Sequence, residues 1–89
     1  MNFKKLSNDL YFKASHYKFA KKPNDFDRGY MKISDWINDL CWHYMQKRKQ
    51  LDRDSEIEFK RLVEAQRKKI DGLAPSEYRD GLIKAVDEL

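Results

Sequence analysis

A row of large apolar residues recurs at alternating spacings of four and three residues through the middle of the chain. The row comprises Phe26, Tyr30, Ile33, Ile37, Leu40 and Tyr44. This period places all six side chains on one face of an α-helix. Asn24 or Asp25, both good N-cap residues, precedes the row. The sequence therefore predicts a long amphipathic helix, the second of the chain, whose heptad-like seam packs against other helices.

Two further helices are indicated by the placing of proline and glycine. The first is predicted from Asn8 to about Lys21, because Pro23 disfavours helical geometry at the residue before it. Its main apolar stripe is Leu6, Leu10, Ala14 and Tyr17. A last helix is predicted to open with Pro75 in its first turn and to carry Tyr78, Leu82, Ala85, Val86 and Leu89 on one face. Gly81 should weaken that helix by roughly 1 kcal/mol relative to Ala.

The end of the second helix carries neither Gly nor Pro. Only Leu51 is apolar between Gln46 and Glu56, and Ser55 with Glu58 has the spacing of a capping box, so a break is predicted near Arg53. One continuous helix from Asp25 to Ile70 is the alternative. The third helix carries Phe59, Leu62, Val63, Gln66 and Ile70, and we expect it to stop at Gly72 in a left-handed cap.

These patterns together predict an all-α fold, a small antiparallel helical bundle of about four helices. Residues 1–89 are expected to form a single helical domain, since 89 residues have room for one core. A chain of this length buries only roughly two thirds of the surface that it exposes when unfolded. The monomer is then marginally stable, and a homodimer is an open alternative.

Some apolar residues are left over once the main stripes are assigned. At about 100° per residue, Met31, Trp42 and Met45 point away from the seam of the second helix. Phe12 and Phe19 likewise lie opposite the stripe of the first helix. Either other helices cover the second helix on both sides, or these five residues form a docking patch for a protein partner or a second copy. Trp36, on the flank of the seam, fits either interpretation.

The charge of the chain is unevenly distributed. The net charge is +4, but residues 1–22 hold six Lys against Asp9, and residues 71–89 hold five acids against two bases. The two basic runs are Lys13, Lys18, Lys21 and Lys22, and then Lys47, Arg48, Lys49 and Arg53. Both runs could contact the phosphates of a nucleic acid, although cations also favour helix C-termini without any ligand. An acidic patch of Asp80, Asp87 and Glu88 across the first run would count against nucleic-acid binding.

No motif for catalysis, metal or cofactor binding is found in the sequence. Cys41 and His43 have a Cys-x-His spacing, but no second pair of ligands exists, and a helix would point the two side chains apart. Cys41 is interpreted as a small core residue and His43 as a flank residue. His16 among lysines is interpreted as a solvated residue. We therefore predict no enzyme activity, no catalytic residue, no metal site, no cofactor and no small-molecule ligand.

The compartment is predicted from the cysteine count and the N-terminus. One cysteine excludes an internal disulfide framework, and lysines interrupt residues 1–22 where a signal peptide would be apolar. The apolar residues of the first helix are split between its faces, which argues against a membrane-surface anchor. We expect a cytoplasmic protein that does not bind membranes.

One segment resembles a known group of sequences. FDRGYMKISDWINDLCWHYMQKRKQL is similar to a pattern in small uncharacterised proteins encoded by phages and prophages, with Arg-Gly-Tyr followed by an aromatic-rich helix. The resemblance implies an accessory protein that modulates a host or phage macromolecule by presenting a surface. The function predicted is thus a non-enzymatic helical interaction or regulatory module, with a small basic nucleic-acid-binding protein as the alternative.

Overall fold

A computed structural model of the protein describes residues 2–46 and 53–88. Four α-helices make up most of these residues: α1 (Phe3–Lys18), α2 (Asp25–Gln46), α3 (Arg53–Asp71) and α4 (Glu77–Asp87). No strand occurs in the two described stretches. The all-α class and the four-helix bundle predicted from the sequence are confirmed.

The seam of α2 forms the centre of the core, as predicted. Tyr30, Ile33, Ile37 and Tyr44 are buried, and Leu40 packs half-buried against them. Asn24 rather than Asp25 caps the helix, since Asn24 Oδ1 accepts a hydrogen bond of 2.8 Å from the Asp27 N–H. The Asp27 carboxylate accepts one in return from the Asn24 N–H at 3.2 Å. The reciprocal pair satisfies amide groups that the first turn of a helix leaves free.

The bounds of α1 differ from the prediction of Asn8 to Lys21. Asn2 caps the helix by accepting a hydrogen bond of 3.1 Å from the Lys5 N–H, so α1 begins five residues before Asn8, at Phe3, and it ends at Lys18. The Phe3 ring is fully buried, 4.8 Å from the Tyr44 ring and 5.4 Å from the Phe59 ring. Burial of this aromatic ring in the first turn stabilises the extra residues of the helix.

The predicted stripe of α1 does face the core. Leu10 is buried, and Leu6, Ala14 and Tyr17 pack half-buried against the core residues. The Tyr17 ring lies 4.2 Å from the Tyr30 ring, near the start of α2, whereas Phe3 lies beside Tyr44 near its end. The helices α1 and α2 are therefore antiparallel neighbours.

The helix α3 runs in the opposite direction to α2 and lies across a groove from it. Phe59 lies near the end of α2, next to Phe3, while Ile70 lines a common groove with Ile33 near the start of α2. Residues 25–70 thus form two helices and not one continuous helix. The residues that join them, 47–52, lie outside the described part of the chain. Ser55 lies inside α3 (Arg53–Asp71) and not before it, contrary to its predicted place at the N-cap.

The transition from α3 to α4 occurs where the sequence placed it, but with different local geometry. The helix α3 ends at Asp71, and the Gly72 N–H still bonds to the Lys68 and Lys69 carbonyls at 3.3 and 3.2 Å. Gly72 does not have a positive φ, so the predicted left-handed cap is wrong. Ser76 caps α4 by accepting a hydrogen bond of 3.0 Å from the Arg79 N–H. Pro75 therefore precedes the cap and is not in the first turn.

The helices α2 and α4 cross where two glycines face each other's backbone. A Cβ on Gly29 would overlap the Tyr78 carbonyl oxygen and lie 3.1 Å from the Leu82 nitrogen. A Cβ on Gly81 would overlap the Phe26 carbonyl oxygen and lie 2.9 Å from the Tyr30 nitrogen. The close approach leaves no room for a side chain at either position. Gly81, interpreted from the sequence as a weak point of its helix, is required by this crossing.

Candidate interaction surfaces

The five residues singled out as a docking patch do not share one surface. Trp42 lies on α2 about 140° around the helix from Ile37, and 53% of its surface is exposed. Met31 and Met45 are half-buried, and Met45 packs against the core. The sequence left open that other helices cover α2 on both sides. At Trp42 this covering is incomplete.

The helix α1 accounts for the half-burial of the two methionines. Met31, Asn38 and Met45 are spaced by seven residues, which places them on one side of α2. The Ser7 hydroxyl donates a hydrogen bond to Asn38 Oδ1 on that side. The helix α1 thus lies on the side of α2 that carries the two methionines.

Phe12 and Phe19 point away from the rest of the molecule. They lie on α1 and just beyond its end, roughly opposite the buried Leu10, and are 80% and 73% exposed. Since Leu10 faces α2, the two phenylalanines face solvent on the far side of α1. They form a surface separate from that of Trp42.

Tyr11 is a further exposed aromatic residue of α1. It is 63% exposed and lines a shallow depression between α1 and α2 with Ser34 and Asp35. Tyr11 follows Ser7 by four residues and Trp42 follows Asn38 by four, so each lies one turn from the Ser7–Asn38 contact. Because the helices are antiparallel, Tyr11 and Trp42 occupy the same flank on either side of that contact. We call Tyr11, Trp42, Met31 and Met45 the Trp42 surface.

A larger groove, missed from the sequence, lies between α2 and α3 and is closed at one end by α4. Its volume is about 480 Å³. Buried Ile33, Ile70 and Leu82 line it together with Trp36, Leu73 and Tyr78, and its charged and amide residues are Lys32, Asp35, Asp39, Gln66 and Lys69. Trp36, whose place the sequence left open, belongs to this groove. Its position depends on α3, which no local pattern around Trp36 reveals.

The lysines proposed as phosphate contacts are exposed where the structure describes them. Lys13, Lys18, Lys21 and Lys22 have exposed side chains, and none forms an ion pair within the described residues. Of the second run, Arg53 is exposed at the start of α3. Lys47, Arg48 and Lys49 lie outside the described residues.

The end of α4 brings one acid to the first basic run. Glu88 and Lys84 line a shallow depression with Lys13 and His16, and the Tyr30 hydroxyl donates a hydrogen bond to Glu88. Burial and the neighbouring Glu88 carboxylate raise the pKa of Tyr30 above its ordinary value. Asp87 instead pairs with Arg67 at 2.6 Å. Of the acids that would count against nucleic-acid binding, Glu88 therefore lies beside this run, whereas Asp87 is paired elsewhere.

Cys41 and His43 are separated as their spacing predicts. Cys41 is fully buried, and this burial raises the pKa of its thiol to about 11. His43 is exposed, with its ring 5.3 Å from the Tyr44 ring. Within residues 2–46 and 53–88, no three His, Cys, Asp or Glu side chains are grouped so as to hold a metal ion. No helix in these ranges is long and apolar enough to cross a membrane.

Comparison of the chain with protein-family models, with curated proteins and with solved structures gives no match.

Proposed function

We propose that this chain is a non-enzymatic helical protein–protein interaction module, and that a partner protein docks on the Trp42 surface. The observation that carries the proposal is the 53% exposure of Trp42 on the helix whose opposite face supplies more of the buried core than any other helix. A tryptophan left in water on a rigid helix keeps a large apolar area available for binding. Docking would remove that area from water.

The composition of the Trp42 surface supports a protein as its ligand. Tryptophan and tyrosine are enriched among the residues that contribute most to protein interfaces, and methionine adapts its shape to different partners. The surface is carried by two antiparallel helices held together by the Ser7–Asn38 hydrogen bond, so Tyr11 and Trp42 are presented by helical backbone. Preorganised side chains lose little conformational entropy on binding.

A regulatory role follows from size and from the resemblance of the α2 segment to phage and prophage accessory proteins. A chain of 89 residues without a catalytic motif acts on another macromolecule by occupying part of its surface. The proposed partner is therefore a bacterial or phage protein whose activity changes when the Trp42 surface is docked on it.

To test this, the wild type and two variants are each immobilised, and the proteins that each retains from a bacterial extract are compared. The wild type and Ile57→Ser, which alters an equally exposed apolar residue on α3, should retain the same protein, and Trp42→Ser should lose it. The retained protein is then purified and its affinity measured by titration calorimetry. Removal of a central tryptophan from an interface should weaken binding by more than about 2 kcal/mol, roughly thirtyfold. Equal affinity for the wild type and Trp42→Ser would refute this docking surface.

Nucleic-acid binding is a second candidate, favoured by the exposure of Lys13, Lys18, Lys21 and Lys22 without ion pairs among the described residues. Binding through these lysines should weaken steeply with salt, with a slope near −0.9 per phosphate contact on duplex DNA. Replacing all four by Gln should lower that slope by up to about four units of log K per log salt. Fluorescence anisotropy with a labelled duplex measures both slopes, and a slope that the substitutions leave unchanged would exclude this site.

A further inference from the structure

Core residues form the floor of the groove between α2 and α3, and exposed apolar residues lie at its edge. Ile33, Ile70 and Leu82 line its floor and are buried, whereas Leu73 and Tyr78 at its edge are exposed. Its volume of about 480 Å³ is large enough to accept several side chains of a partner. A chain of this size has a thin core, so removing Leu73 and Tyr78 from water would add to its stability.

Charges on the rim of the groove restrict what can cover it. Lys32, Asp35, Asp39 and Lys69 are all exposed, and none forms an ion pair or a side-chain hydrogen bond within the described residues. The rim thus holds two cations and two anions with no neutralising contact. A strongly basic or strongly acidic partner would meet like charges on it.

We propose that a second copy of this chain covers the groove, with the two grooves face to face around a two-fold axis. In such an interface each residue meets a counterpart from an identical surface, so the surface must complement itself. A rim of two lysines and two aspartates does so, because the lysines of one copy can face the aspartates of the other. Trp36, Leu73 and Tyr78 of each copy then cover the apolar floor of its partner.

This dimer goes beyond the docking function proposed above, because the groove is lined by none of the four residues of the Trp42 surface, although Asp35 borders both surfaces. One surface joins two copies, and the Trp42 surface of each copy is left for a different protein. The two proposals can therefore fail separately.

Charge reversal of the rim tests the proposal. Asp35→Lys/Asp39→Lys leaves four positive charges on the rim, and Lys32→Asp/Lys69→Asp leaves four negative charges. All four side chains are exposed, so both variants should fold, which circular dichroism checks. Asp9→Lys/Asp54→Lys is the matched control for the Asp35→Lys/Asp39→Lys variant, because it makes the same change of net charge at exposed positions outside the groove.

Solution masses by light scattering give the result. The wild type and the control should have twice the chain mass of 10.8 kDa, and each rim variant alone should dissociate at least roughly tenfold more readily. An equimolar mixture of the two rim variants should restore the dimer, since opposite rims then meet.

Several outcomes would overturn the groove dimer. They are a monomeric wild type, rim variants that dimerise as the wild type does, a mixture that stays monomeric, or a control that dissociates as well. A dimer lost in Trp42→Ser but kept in both rim variants would place self-association on the Trp42 surface. That last result would refute the groove dimer and leave the Trp42 surface as a docking site.

Discussion

Gly81→Ala should destabilise the protein, although the same change in an isolated helix is stabilising. Alanine at a helical position is favoured over glycine by about 1 kcal/mol. In the folded protein the added Cβ would overlap the Phe26 carbonyl oxygen and lie 2.9 Å from the Tyr30 nitrogen. Both atoms belong to the backbone of α2, so the clash can be relieved only by moving α4 away from α2.

The size of the effect follows from the two opposing contributions. Overpacking a core costs typically 1–3 kcal/mol, and a clash with backbone belongs near the upper end, at about 3 kcal/mol. Subtracting the helix preference of about 1 kcal/mol leaves a net loss of about 2 kcal/mol. For a domain of this size, the melting temperature should fall by roughly 8–16 °C.

Thermal denaturation followed by circular dichroism measures the change, with Gly72→Ala as the matched control. A Cβ on Gly72 comes no closer than 3.5 Å to any of its neighbours, the nearest being the Lys69 carbonyl oxygen, and its φ is not positive. That substitution should therefore be neutral or stabilise by up to about 1 kcal/mol. Gly29→Ala should behave like Gly81→Ala. If Gly81→Ala were as stable as Gly72→Ala, the inferred close crossing of α2 and α4 would be wrong.

Two further predictions concern the core. Phe59→Ala removes a buried ring packed on Phe3 and should lower the free energy of unfolding by about 3–5 kcal/mol. The control Leu62→Ala, on the exposed side of α3, should lower it by less than about 1 kcal/mol. Urea denaturation measures both free energies. Burial raises the pKa of Cys41 from 9.0 to about 11, and burial with the nearby Glu58 raises that of Tyr44 from 10.0 to about 12. Both groups lose their protons at a higher pH in the folded state than in the unfolded state. Their contribution to the free energy of unfolding is therefore intact below pH 9.0 and should decline as the pH rises towards about 12. Urea titrations across this range test the sign, and stability that rises with pH in this window would contradict it.

The sequence predicted the elements better than their ends. The seam of α2 and the stripe of α1 were found because helix periodicity is a local property of the chain. The start of α1 was misplaced at Asn8, although Asn2 is an equally good cap, because the choice depends on Phe3 reaching Tyr44 and Phe59. Those contacts join residues more than 40 positions apart, and no local pattern contains them.

For the surfaces proposed for binding, too, some features follow from the sequence and others only from the packing of the helices. The sequence placed Phe12, Phe19 and Trp42 off the main apolar stripes but left open whether other helices cover them, and the structure shows all three exposed. Their separation into different surfaces, and the half-burial of Met31 and Met45, follow from where α1 lies on α2. The groove around Trp36 depends on residues from three helices and could not be read from any one of them.

By itself the sequence determined the all-α class, the apolar faces of the helices and the positions of the charges. These properties depend on the spacing of residues along a helix, which rises 1.5 Å per residue. Only the tertiary structure decided which apolar residues stay in water. It also assigned the glycines their role, since Gly29 and Gly81 act through the distance between two backbones that meet only after folding. The spacing of residues fixes the direction in which each side chain points around its own helix. A groove or a helix crossing depends on how two helices are placed relative to each other, which is set by their packing.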